Sequence, residues 1–256
     1  MNAEVVVLPS PAAVAEALAD RTAAALRAAL AQKPRVTLCL TGGSTPVPAY
    51  ERLAGAEVEW DRVHVFWGDE RSVPPDHDES NYAMAARTLL RPAGVPDSNV
   101  HRMPGECPPE EGSAVYEQAL AQFFGDDLWF DVLHLGMGGD GHTASLFPGS
   151  PALDERDRRV VPAQSPPSAA VRDRLSLTLP ALHRAGLCLV AAAGEAKREA
   201  FGRVLDAYDG DAPGPDAPPA ARVSAEGDLV WLVDRALAQG LLDDDGTGGH
   251  EKPYGR

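Results

Sequence analysis

Apolar positions follow two alternating rhythms along this chain. Short runs dense in β-branched and aromatic residues (EVVVL, VTLCL, VHVFW, FDVLHLG, RLSLTL, GLCLVAA and LVWLVD) are separated by Ala/Leu-rich segments whose apolar residues recur every three or four positions. The first rhythm predicts buried strands and the second predicts amphipathic helices. Over residues 11 to about 32, Val14, Leu18, Leu26 and Leu30 form one apolar stripe, with Ser10 as N-cap and Pro11 in the first turn. Further helices are expected after Pro46, over SNYAMAARTLL, from about Ser113 to Phe124, and from Glu195 to about Ala207. Strands alternating with helices give an α/β class: a mostly parallel sheet covered by helices on both faces.

Two segments interrupt the rhythm. YDGDAPGPDAPPAA, Tyr208 to Ala221, is rich in Pro, Gly and Asp and reads as a long surface loop. The chain beyond it is too short for an independent core, so residues 1–242 are expected to form a single domain. The stretch 243–256, DDDGTGGHEKPYGR, is polar and glycine-rich and is expected to be a disordered tail.

Composition narrows the partners. With 23 basic and 38 acidic residues the formal net charge is -15, which argues against a nucleic-acid or anionic-membrane partner, since those need basic stripes. A small anionic substrate remains compatible, provided a few cations converge locally. Cys39, Cys107 and Cys188 are widely spaced and show no paired spacing, so neither a disulfide framework nor a zinc site is indicated. No basic leader or long apolar span appears, and a cytoplasmic protein is expected.

Ligands of open parallel sheets gather beyond the carboxyl ends of the strands. The unusual loops of this sequence all fall there. TGGST, from Thr41 through Gly42, Gly43 and Ser44 to Thr45, offers backbone N–H groups and hydroxyls suited to an anion or to sugar oxygens. It lacks a Walker lysine, and Pro46 spoils a nucleophile elbow. WGDERSVPPDHDESNY brings Asp69, Glu70 and Arg71 to the same edge, with Asn81 beginning the next helix. LGMGGDGHTASLFPGSP matches G-x-G-x-x-G at Gly136, Gly138 and Gly141, but it lies mid-chain with no suitably spaced acidic residue, so dinucleotide binding is set aside. The glycines are instead expected to let Asp140 and His142 project into the crevice, Asp140 fixing the imidazole tautomer and Thr143 and Ser145 capping the next turn. His64 and His134 lie in strands and are read as packing groups or as supports behind the site. Arg174 opens a strand, and Lys197, expected exposed, sits near a helix N-terminus, where an anionic partner would explain a cation. No histidine, aspartate or cysteine grouping has metal spacing.

Taken in order, TGGSTP, GDERSVPPDHDESNY, DGHTASLFP, RLSLTLP and AGEAKREAF resemble the motifs of the 6-phosphogluconolactonases, over roughly residues 5 to 240. The related glucosamine-6-phosphate deaminases carry D-E-Y where this chain has Asp69-Glu70-Arg71, and F-N-E-P where it has Ser145-Leu146-Phe147-Pro148. The resemblance implies a Rossmann-like fold and hydrolysis of a small phosphorylated sugar lactone, with no metal and no organic cofactor. Under it His142 is the base, supported by Asp140, with Asp69, Glu70 and Arg71 in the catalytic group. Thr41, Gly42, Gly43, Ser44, Thr45, Asn81, Gly138, Arg174 and Lys197 would bind the substrate. Which cation serves the phosphate and which the oxyanion stays open. Two rivals remain, an amino-sugar-phosphate deaminase led by Asp69 or Glu70 and a sugar-phosphate sensor. No basic helix-turn-helix precedes residue 36 to support the sensor.

Overall fold

The computed structural model describes residues 3–209, 213–214, 216–242 and 251–254. Among the described residues, seven strands form the central sheet, in the order β10-β1-β9-β8-β5-β2-β3. They are β1 (Ala3–Leu8), β2 (Val36–Leu40), β3 (Val63–Trp67), β5 (Phe130–Gly136), β8 (Ala185–Ala192), β9 (Asp228–Asp234) and β10 (Glu251–Tyr254), while β4 (Asp69–Arg71), β6 (Val160–Gln164) and β7 (Asp173–Leu177) make a second sheet, ordered β4-β7-β6. All pairings in the central sheet are parallel except β10 against β1. Every residue of β2 is buried, as expected of a strand covered on both faces.

The expected helices form, with α1 (Pro11–Leu30), α2 (Val47–Ala54), α3 (Asn81–Ala85), α4 (Arg91–Ala93), α5 (Pro109–Phe124), α6 (Leu179–Leu182), α7 (Arg198–Asp209) and α8 (Arg235–Ala238). Ser10 caps α1 by accepting from the Ala13 N–H at 3.2 Å. The stripe Val14, Leu18, Leu26 and Leu30 is buried. A π-helical stretch, Ala86–Leu90, joins α3 to α4. Among the described residues no helix is long and apolar enough to cross a membrane.

Two expectations need correction. The sequence placed RLSLTL in the parallel sheet and read Asp69–Arg71 as loop, whereas both lie in the antiparallel second sheet, with β6 unforeseen. The cause is Gly68, whose N–H donates to Leu40 of β2 at 2.9 Å while its carbonyl accepts from Leu177 of β7 at 2.8 Å. One residue thus moves the chain from sheet to sheet, and a three-residue strand is too short to show a period of two. The expected tail also departs from the reading. Residues 251–254 pair with β1 from Val6↔Glu251 to Ala3↔Tyr254, supplying backbone partners to a strand edge that polar composition does not forbid. Positions 243–250, 255 and 256 lie outside the described residues, as do 210–212 and 215 of the long loop.

Strand order sets the site. From β2 the chain passes to β3 on one side, while β5 lies on the other side of β2, so the loops leaving β2 and β5 diverge and open a crevice. Tyr50 of α2, fully buried, anchors the first of these loops: its hydroxyl accepts from the Thr41 N–H and donates to the Thr41 carbonyl, both at 3.0 Å. Tyr50→Phe leaves both groups buried without that partner. It is expected to cost about 1–3 kcal/mol in urea unfolding.

Candidate active site

A cleft of about 480 Å³ opens at this crevice, a volume suited to a small ligand. It is lined by Thr41 to Pro46 after β2, by Asp69, Arg71 and Asn81, by Leu135 to Asp140 and His142 at the end of β5 and beyond it, and by Arg174 and Lys197. Every candidate catalytic or binding residue of the sequence meets there, except Glu70.

The turn after β5 explains its glycines. The Nδ1 of His142 lies 2.5 Å from Asp140 Oδ1, which also accepts the His142 N–H at 3.1 Å. Both groups lie over Gly138, where a Cβ would stand 2.2 Å from the imidazole Nδ1 and 2.8 Å from Asp140 Oδ1. Only glycine leaves that space. The turn closes through Gly138 N–H to the His142 carbonyl at 2.9 Å and Gly141 N–H to the Gly138 carbonyl at 3.0 Å. Burial pushes the Asp140 carboxyl upward, but the hydrogen bonds from the His142 side chain and backbone outweigh it and hold it below the ordinary aspartate range. Phe147 flanks the imidazole at 4.5 Å between ring centroids.

This turn is braced from outside the cleft. Gly141 has φ +85°, and a Cβ there would fall 2.7 Å from Pro218 Cβ. The Ala220 N–H donates to the Gly141 carbonyl at 3.0 Å. The Pro-rich segment, expected as a long surface loop, therefore touches one of the motifs. Thr143 and Ser145 also differ from expectation. Neither caps a turn: the Thr143 hydroxyl donates to the Gly136 carbonyl at 2.8 Å, and the Ser145 hydroxyl donates to Asp69 Oδ2 at 2.7 Å.

In β4 side chains alternate, so Asp69 and Arg71 share the cleft face and Glu70 takes the other. Glu70 is 2% exposed and accepts from the N–H groups of Arg71, Asn81 and Tyr82 and from the Ser80 hydroxyl, at 2.7–3.0 Å. Burial pushes its carboxyl up against the pull of those backbone donors. It is thus the hub that ties β4 to the start of α3, which corrects its place in the catalytic group. Asn81 reaches back from α3, its Nδ2 donating to the Asp69 carbonyl at 2.9 Å, and its Oδ1 lies where a Cβ on Gly42 would be.

Three cations converge in this acidic molecule. Arg71 and Arg174 are direct cross-strand partners, an arrangement that is unfavourable between like charges. Arg71 Nη1 reaches the Glu79 carbonyl at 2.7 Å and its carboxylate at 3.2 Å, yet among the described residues the buried Nε of each arginine has no hydrogen-bond partner. Burial, then the neighbouring Arg71, pulls Arg174 below its usual value. Lys197, expected exposed, is half-buried, because the turn carrying it folds into the cleft wall, and burial lowers its ammonium against the opposing effect of Asp234. Among the described residues no group of three or more His, Cys, Asp or Glu is placed to hold a metal ion.

His134 and His64 are both packed against neighbouring side chains. His134 is 1% exposed, bonds Thr22 Oγ1 at 2.7 Å through Nε2, and is pushed down to about 3 by burial. His64 stacks on His101 in an aromatic cluster.

The geometry can be set beside known proteins. Residues 9–231 match the family model of glucosamine-6-phosphate isomerases/6-phosphogluconolactonase. The chain belongs to this family. Among its relatives, a 6-phosphogluconolactonase of Synechocystis sp. is 39% identical over 83% of this chain and 88% of its own, and one of Nostoc sp. is 39% identical over 94% and 99%. A solved 6-phosphogluconolactonase from Thermotoga maritima superposes with a TM-score of 0.77 at 30% identity, covering 90% of this chain and 98% of that one. The family fold accounts for the central parallel sheet with its helices.

Some lining residues carried little signal. Ser145 and Phe147 stood inside a recognised motif but were read as turn formers or not at all, because their partners come from β4 and from the imidazole. Ser165, Pro166, Ser168 and Ala169 also line the cleft. They come after β6, which the pattern did not reveal, so nothing directed attention to them. Glu70→Ala strands three backbone donors and is expected to destabilise the fold by roughly 3 kcal/mol in urea unfolding. Lost turnover at unchanged stability would return Glu70 to the chemistry.

Proposed function

We propose that this chain hydrolyses 6-phospho-D-glucono-1,5-lactone to 6-phospho-D-gluconate, the lactonase step of the oxidative pentose phosphate pathway, as a cytoplasmic single-domain enzyme without metal or organic cofactor. The observation that carries this reading is the Asp140–His142 pair, held over Gly138 in a cleft shared with Arg71, Arg174 and Lys197. A lactone is an activated ester, so water, one base and charge stabilisation suffice.

With Nδ1 engaged by Asp140, His142 offers Nε2 to the nucleophile. Nε2 takes a proton from water as its oxygen bonds to the lactone carbonyl carbon, and negative charge grows on the former carbonyl oxygen. Collapse of this intermediate breaks the bond to the ring oxygen, which receives the proton from the imidazolium. The carboxylic acid product then loses its own proton to solvent. Imidazole suits both transfers because its ordinary titration lies near neutrality. Asp140 holds the tautomer and compensates the transient imidazolium.

Phosphate falls to Lys197 and Arg174 with the backbone donors of Thr41 to Thr45, while Arg71 stands by the anionic ligand or the developing oxyanion. An anion between Arg71 and Arg174 would relieve their cross-strand repulsion. Asp69, held by Ser145 and Asn81, orients substrate hydroxyls in the same reading.

His142→Asn is expected to bind substrate normally and lose about 100-fold or more in kcat. The assay is hydrolysis of fresh 6-phosphogluconolactone by dialysed enzyme in excess chelator, corrected for spontaneous opening, with glucosamine 6-phosphate as the competing substrate. Ammonia release without lactonase activity would overturn the assignment, and activity lost on chelation alone would overturn the metal-free mechanism. Lys197→Ala is expected to raise KM for the phosphorylated lactone far more than for gluconolactone. Equal effects on the two would remove Lys197 from the phosphate site.

A further inference from the structure

Among the described residues Lys197 has no ion pair, although it is half-buried. A half-buried ammonium with no ion pair gains from a carboxylate held near it. The carboxylate in question belongs to Asp234, the last residue of β9, on the strand beside the one that leads to Lys197. Asp234 is 2% exposed and does not line the cleft.

Its Oδ1 accepts two backbone N–H groups, from Leu237 at 3.0 Å, where it caps α8, and from Gly194 at 2.9 Å. Gly194 has φ +96° and starts the turn that carries the lysine. Its carbonyl in turn accepts the Lys197 N–H at 3.2 Å. One peptide neighbourhood is therefore gripped by Asp234 at its N–H and by Lys197 at its carbonyl. The other charged groups around the turn are committed or shared. Glu195 pairs with Arg198 at 3.2 Å, and Arg198 also donates to the Ala236 carbonyl and to Gln239. Asp140 and His142 bond each other over Gly138, on a turn whose Gly139 abuts the Ala196 carbonyl.

We propose that Asp234 is a positioning residue for the sugar-phosphate site: it fixes the Gly194–Lys197 turn through its backbone bond and serves as a counter-charge to Lys197 from behind that turn. The inference rests on the reading of Lys197 as phosphate anchor. The design has a physical logic. A carboxylate within the cleft would pair with the ammonium and repel the phosphate at short range, whereas one buried behind the wall sustains the charge and leaves the ammonium's donors for the ligand. Burial lowers the Lys197 ammonium and Asp234 raises it, in keeping with this arrangement.

Asp234→Asn separates the two roles, because asparagine keeps the Oδ1 acceptor and loses the charge. Lys197 is followed by NMR of isotope-labelled lysine across pH in the ligand-free enzyme, and 6-phosphogluconate and gluconate affinities are measured by calorimetry at pH 7 and 9. In the variant the Lys197 ammonium is expected to titrate at lower pH, and 6-phosphogluconate to bind about tenfold more weakly at pH 9, with gluconate unaffected. Placing the same change in a Lys197→Arg background should abolish the pH-dependent part, since guanidinium stays protonated. Asp234→Glu, which retains the charge, should titrate like the parent. If Lys197 titrates identically in the parent and in Asp234→Asn, the counter-charge role is wrong. A shifted titration with unchanged 6-phosphogluconate affinity would uphold the counter-charge and overturn phosphate anchoring instead.

Discussion

Gly68 divides its two backbone hydrogen-bonding groups between two sheets, and the cleft depends on that division. Its N–H belongs to β2 and its carbonyl to β7. Had the chain continued straight from β3, Asp69 and Arg71 would project along the central sheet and not across its crevice. The second sheet then sets Arg71 against Arg174 by register. The small antiparallel sheet thus acts as a bracket that brings charge to a parallel scaffold.

Electrostatics follow from this bracket. A molecule with a formal charge of -15 repels anions at long range, so recognition of one must be local. Two arginines with unpartnered Nε atoms and one half-buried lysine face the same space, and the acids nearest them are occupied. Glu79 pairs with Arg71, Asp69 receives Ser145 and Asn81, Glu70 receives four donors, and Asp140 holds the imidazole. Each carboxylate is tied to a task before a ligand arrives.

Most of the scaffold was readable from periodicity, since long amphipathic helices such as α1 and fully buried strands such as β2 state their environment in every residue. The site was readable in parts. His142 and Asp140 stood out because glycine density beside a histidine asks for a close approach, and Gly138 answers it. Glu70 was misread because three residues cannot display alternation, so two adjacent acids looked equivalent until pairing with β7 separated their faces. The Ser165–Ala169 stretch was invisible for a related reason: its place at the cleft depends on a strand pairing with no local signature. Burial of Lys197 likewise depends on how its turn packs, which spacing alone does not reveal.

The contact between Gly141 and the 218–220 segment alters how the long Pro/Asp-rich loop should be regarded. From Pro218 the chain forms a strut behind the histidine turn, held by the bond from Ala220 and, farther on, by His183 to the Arg222 carbonyl at 3.0 Å. A protease cut just ahead of this strut would leave every cleft residue in place and yet untether the turn on one side. Proteolytic sensitivity there would report on the order of the imidazole, although the cleaved bond belongs to what looks like mere spacer.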